Sequence, residues 1–172
     1  MKLPTLGRVE LISVLGRTNV PAKVDTGADS SAIWASHIRI DEKKALKFTL
    51  FDESSPFYNG KTVSRKDYSV VRIKSSNGQT EMRYRTHFSI VIAGKRMKVL
   101  MNLANRSHNE FPVLIGRRTL NGKFVVDVRK IPLSFKESKK VSKYNDKLKK
   151  RPILVSQNIR RKGKLNENCN SI

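Results

Sequence analysis

Val24-Asp25-Thr26-Gly27-Ala28-Asp29-Ser30 is the segment in which residue types and spacing add up to chemistry. A carboxylate at a strand end, followed by a small hydroxyl residue and a glycine, can be gripped by backbone amides in a tight turn and aimed into a cleft. Gly27 removes the Cβ that would hold another backbone or a substrate away. Amide hydrolysis by this route needs two carboxyl groups, one accepting a proton from water and one giving a proton to the carbonyl oxygen. The other aspartates, Asp29, Asp41, Asp52, Asp67, Asp127 and Asp146, have no Thr/Ser-Gly after them. The economical partner is therefore Asp25 of a second copy, brought alongside by a two-fold axis. Two carboxylates at that range share a proton and titrate as a pair, in two steps.

The elements that must aim this turn read as β. Residues 8–15 alternate, 16–19 supply a turn, and 20–24 lead into the Asp25 loop. A charged stretch at 41–47 precedes a strand at 47–51, and 52–61 is rich in turn formers. From Thr80 to Ile92, Met82, Tyr84, Thr86, Phe88, Ile90 and Ile92 fall on one face and Glu81, Arg83, Arg85, His87 and Ser89 on the other, as in a half-buried strand. The Arg83/Arg85 stripe reads as a solvated face that could also line a groove for acidic peptides. Residues 69–74 join this strand through a turn at Asn77-Gly78, a pair suited to positive φ. A second hairpin turns at 93–96 into 97–103. Residues 111–116 and 123–128 are apolar enough for buried strands, with one helical turn at 117–122 closed by Gly122. Eight or more short strands with almost no helix predict an all-β fold, a closed barrel or sandwich.

Composition narrows the function. The chain has 172 residues, 36 Lys+Arg against 14 Asp+Glu and a formal net charge of +22. Residues 130–172 hold 13 Lys+Arg against 3 Asp+Glu with few large apolar groups. Such a stretch buries too little to offset chain entropy, so the expected division is a β domain over 1–133 and a basic, flexible tail over 134–172. No apolar run reaches membrane-helix length, and the start lacks a signal-peptide core, so the expected location is the cytoplasm, away from membranes. Cys169 stands alone, which excludes an internal disulfide or a multi-thiolate zinc site. His37, His87 and His108 lack metal-ligand spacing, and no Gly-rich phosphate loop ending in Gly-Lys-Ser/Thr occurs. Neither a metal nor another cofactor is expected.

The two segments KVDTGADSSAI and VLIGRRTL, about ninety residues apart, resemble the retropepsin-like aspartic peptidases. With VRIKSSNG, Glu81-x-Arg83, NLANR at 102–106 and FVVD, they are similar to a bacterial group labelled ATP-dependent zinc proteases, whose members often occur beside ATP-grasp amino-acid ligases. The resemblance covers residues 7–129. It implies a metal-independent aspartic endopeptidase acting as a homodimer on a peptide bond or an amino-acid adduct. Asp25 would be the catalytic carboxylate and Thr26 the hydroxyl locking paired turns across the dimer. Gly27, beside Ala28, would offer backbone to substrate, and Asp29 would form a buried pair with Arg117 of Gly116-Arg117. A flap would cover the cleft, with Ser76, Asn77 and Gly78 as its candidate tip and 52–60 as the alternative. Trp34 stands where that group commonly has a histidine and reads as packing. Asp127 reads as a strand-end residue holding a loop. The charge supports an alternative of another class, a non-catalytic RNA- or ribosome-binding protein on the same scaffold. The two readings combine if the tail carries an enzyme to an RNA-rich or acidic target, and the basic core would steer acidic peptides.

Overall fold

The computed structural model describes residues 2–74 and 80–130. In chain order the elements are β1 (Thr5–Leu6), β2 (Val9–Val14), β3 (Arg17–Val24), β4 (Ser31–Ile40), β5 (Leu46–Leu50), β6 (Thr62–Arg65), β7 (Tyr68–Lys74), β8 (Thr80–Ile92), β9 (Lys95–Ala104), β10 (Val113–Ile115), α1 (Arg117–Leu120) and β11 (Val125–Val126). Strand follows strand because short runs of Val, Ile, Phe and Thr alternate with polar residues at period two. Among the described residues the four-residue α1 is the one helix, and no helix is long and apolar enough to cross a membrane.

Six strands form a closed ring in the order β10-β3-β2-β8-β9-β4, with β4 returning to pair with β10. The expected closed all-β fold is thus present. Closure leaves no free edge in the ring, and its lumen is filled by Ile12, Val20, Ile33, Phe88, Ile90, Met101, Val113 and Ile115, each at most 1% exposed. Each such aliphatic or aromatic side chain contributes about 1.5–3 kcal/mol of transfer free energy, an upper bound given a compact unfolded chain. β5 and β6 extend the sheet beyond the ring from the outer half of β4. β8 behaves as two strands. Its Thr86–Ile92 half follows the expected alternation, burying Thr86, Phe88, Ile90 and Ile92. Its Thr80–Arg85 half projects with β7 as a hairpin, so Met82, expected on the inner face, is 60% exposed.

Two tight turns set register. The β2–β3 turn is Leu15-Gly16 at φ 46° and 77°, and the β8–β9 turn is Ala93-Gly94 at φ 47° and 75°. Such left-handed pairs match the twist of the flanking strands. The second agrees with the expected 93–96 turn. The first is shorter than the expected 16–19, because β3 already begins at Arg17, opposite Val14. Three further expectations change. The Asp25 loop ends at Ser31, where the ten-residue β4 starts, and the strand in 123–128 shrinks to two residues with Val125 half exposed. Short β1 and β6 went unforeseen. Period-two reading misses β4 because Ser31–Ala35 are all buried, so alternation is lost exactly where it would be sought.

Candidate active site

β10 lies between β3, which it pairs in parallel, and β4, which it pairs antiparallel. The chain leaving β3 must turn over the end of β10 to reach β4, and residues 25–30 make that turn. The Asp25 N–H donates to the Ile115 carbonyl at 2.9 Å, which fixes the backbone of the turn to the end of β10. Its Oδ1 accepts the N–H groups of Gly27 (3.0 Å) and Ala28 (3.2 Å), as the sequence predicted for a carboxylate gripped by amides. Oδ2 has Lys23 Nζ at 4.0 Å, and the side chain is 29% exposed. One face of the carboxyl group is thus immobilised and the other is open.

A second shelf holds the turn from below. After β10 the chain enters α1 through Gly116, whose N–H donates to Ser31 Oγ at 3.0 Å. Arg117 and Arg118 N–H donate to the carbonyls of Ala28 (2.8 Å) and Asp29 (3.1 Å). Ser31 Oγ also shares a hydrogen bond with Thr119 Oγ1 at 2.7 Å, and both residues are buried. Gly116 is compulsory for steric reasons: an added Cβ would sit 2.6 Å from the carbonyl carbon and oxygen of Ser30. Neither Ser31 nor Thr119 carries a motif signal, and they were missed; the Gly-Arg pair beside them was the readable half of the shelf.

The expected Asp29–Arg117 pair exists but is not buried. Arg117 Nη2 lies 3.6 Å from Asp29 Oδ1 and Arg118 Nη2 lies 2.8 Å from Oδ2, with all three side chains more than half exposed. Two arginines compete for one carboxylate on the surface, because α1 is held by its backbone and its guanidinium groups stay in water. Exposed pairs of this kind contribute only about 0–1 kcal/mol, so the backbone bonds and not the ion pair carry the attachment.

Above the turn opens a cleft of about 900 Å³. Asp25, Gly27, Ala28 and Asp29 form its floor, Arg72, Ile73 and Arg83 reach it from the β7–β8 hairpin, and Asn105 and Arg106 from the segment after β9. The proposed flap tip, Ser76, Asn77 and Gly78, lies outside the described residues. The alternative segment is pinned elsewhere: Arg17 donates to the Phe57 carbonyl (2.9 Å) and Asn59 Oδ1 (2.6 Å), and its residues line no part of this cleft. Partly buried Arg106 donates from Nε to the Phe111 carbonyl at 3.0 Å. Burial, together with the nearby Arg83 charge, lowers the Arg106 pKa from its ordinary value, and the Asp25 carboxylate opposes that shift. An arginine stays cationic regardless, so the electrostatics amount to a positive charge facing Asp25. Composition alone did not indicate Arg72 or Arg106.

Thr26 is exposed beside a surface groove lined by Leu120, Phe124 and Val126. Trp34 is buried against Phe51 in an edge-on contact, as a packing residue should be. Asp127 accepts bonds from the backbone and side chain of Arg129, the loop-holding arrangement expected of it. Among the described residues no three His, Cys, Asp or Glu side chains gather as a metal site. His37 contacts Thr49 Oγ1 at 3.1 Å and His87 contacts Asp67 at 3.2 Å.

Comparison with known proteins agrees with this architecture. A Shewanella pealeana protein named probable alpha-L-glutamate ligase is 35% identical over 117 residues, which cover 66% of this chain and 25% of that protein. A Desulfotalea psychrophila protein of the same name is 27% identical over 116 residues, again 66% and 25%. The chain therefore spans about a quarter of the length of these curated relatives. A crystal structure of a Legionella pneumophila protein of unknown function superposes with a TM-score of 0.57 at 25% identity, covering 74% of this chain and 95% of that one. The pattern described as retropepsin-like aspartic endopeptidase RimB matches residues 5–137. The chain belongs to the RimB-like family of retropepsin-like aspartic endopeptidases.

Proposed function

We propose that the chain is an aspartic endopeptidase that works as a two-fold homodimer and hydrolyses amide bonds in acidic, glutamate-bearing chains. The observation that carries this reading is the Asp25 carboxyl group, clamped on one oxygen by two amides, with Lys23 Nζ 4.0 Å from the other, and lining an arginine-walled cleft. Dimerisation about an axis beside Thr26 sets two such groups face to face. One Asp25 takes a proton from water, the water oxygen attacks the carbonyl carbon, and the other Asp25 gives its proton to the carbonyl oxygen. The proton accepted first then passes to the leaving amine as the tetrahedral carbon collapses, and a hydroxyl of that carbon returns a proton to the second Asp25, which restores the pair to its starting state. Gly27 supplies backbone to the substrate strand. The arginines Arg72, Arg83, Arg106 and Arg117 suit side-chain carboxylates, which a planar guanidinium can receive through paired donors. The glutamate ligase names of the relatives favour the same substrate class, because a chain extended by glutamate is what such a cleft would trim.

The test is Asp25→Asn in the full chain, assayed for cleavage of an oligoglutamate peptide with sedimentation run in parallel. Loss of about a thousandfold in rate with the fold and dimer intact is expected, on the scale of removing one acid–base group. Activity should also withstand a strong chelator. A dimeric variant of undiminished rate removes Asp25 from the mechanism, and a strict monomer removes the dyad.

A further inference from the structure

On the far side of the Ser30–Asn102 hydrogen bond from the Asp25 cleft lies a second cavity of about 130 Å³. It sits between the outer face of β8–β9 and the segment that follows β10. Lys98 and Asn102 project from the same face of β9, and Arg85 is the cross-strand partner of Asn102. Arg118 and Lys123 close the cavity from the other side. Four cationic side chains thus border one small space; Arg118 is already paired with Asp29 Oδ2 at 2.8 Å, and among the described residues Arg85, Lys98 and Lys123 have no carboxylate partner. Among the described residues Arg85 donates through Nε to Ser69 Oγ, at 2.8 Å, and its terminal nitrogens have no partner there.

Like charges gathered at one place repel unless an anion sits among them. The volume is ample for one tetrahedral oxyanion and its waters. The Arg85 fork and two lysine point charges, beside an Arg118 shared with Asp29, offer donors in several directions, which suits a group with three or four oxygens better than a planar carboxylate. We infer that this cavity is a binding site for a free phosphate-type oxyanion, separate from the Asp25 cleft and sharing with it only the Ser30–Asn102 wall. The inference does not depend on the hydrolase reading, since it rests on charge and shape outside the catalytic turn.

The experiment is calorimetric titration of the full chain with inorganic phosphate at low ionic strength and neutral pH. Arg85→Ala/Lys98→Ala is compared with wild type and with Lys43→Ala, a change at an exposed lysine away from the cavity. One saturable phosphate per chain is expected, weakened about twenty-five-fold in the double variant and unchanged in the control, at roughly fivefold per cation removed. Lys123→Ala provides an independent fivefold check if the double variant loses its circular dichroism signature. Acetate at equal concentration should leave phosphate in place. The inference is overturned by absence of saturable binding, by equal affinity in variant and wild type, or by acetate displacing phosphate as well as phosphate does. A site that takes a single-stranded RNA oligomer but not free phosphate overturns it too.

Discussion

Gly116→Ala probes the attachment of the Asp25 turn directly. The backbone there, at φ −91° and ψ 173°, is open to any residue, so the penalty is steric and not conformational. A methyl group 2.6 Å from the Ser30 carbonyl and 2.9 Å from the Ala28 oxygen meets backbone on both sides, which cannot swing aside like a side chain. Either α1 or the turn must retreat. Overpacking of this kind costs about 1–3 kcal/mol. The retreat also stretches the Gly116-to-Ser31 and Arg117-to-Ala28 bonds, each contributing about 1 kcal/mol. The sum is about 3–5 kcal/mol, more than a hundredfold in the folding equilibrium. Urea unfolding with unchanged slope should place the midpoint about 2 M lower for a slope near 1.5–2 kcal/mol/M. Gly27→Ala supplies the contrast: its nearest contact is the neighbouring Asp25 Oδ1 at 3.3 Å, so stability should survive while peptide cleavage falls. A Gly116→Ala midpoint within 0.3 M of wild type refutes the argument that the backbone shelf holds the turn.

Three further outcomes are expected. Arg106→Gln should raise KM for an oligoglutamate peptide severalfold with less effect on kcat, and should flatten the dependence of kcat/KM on salt, since a charge that steers substrate is screened within about 10 Å at 0.1 M. Hydrogen bonds to Asp41 from the Ala45 N–H and Lys47, and to Asp127 from Arg129, hold both carboxyls below their ordinary pKa. Depressed carboxyls stabilise the fold above the unfolded value near 4 and lose that contribution as pH falls further. Melting temperature should therefore drop below about pH 4, and less steeply in Asp127→Asn. Deleting 134–172 should weaken RNA or ribosome binding at low salt while sparing cleavage of a small peptide; equal loss of both would make the tail part of the folded unit.

What could be read beforehand follows from how local each signal is. The Asp25 turn, the Gly116-Arg117 junction and the hairpin at 93–94 depend on a few adjacent residues, and they were legible. β4 was not, because a strand pairing with β9, β10 and β5 buries its first half on both faces and shows no alternation. Asp29 and Arg117 were correctly paired but wrongly buried, since residue type says who can bond and not how much water stays. Ser31, Thr119, Arg72 and Arg106 become visible only when strands distant in sequence are laid side by side.

The parallel pairing of β3 with β10 brings Ala22 beside Val113 and Val24 beside Ile115. No local hairpin can assemble that contact, and the bond from the Asp25 N–H to the Ile115 carbonyl waits for the chain about ninety residues later. The Asp25 turn is therefore expected to complete only once α1 has left the ribosome, and fragments ending before residue 116 lack these backbone bonds. Were the proposed chemistry of breaking peptide bonds to hold, such late assembly would keep a nascent copy harmless to itself and its neighbours.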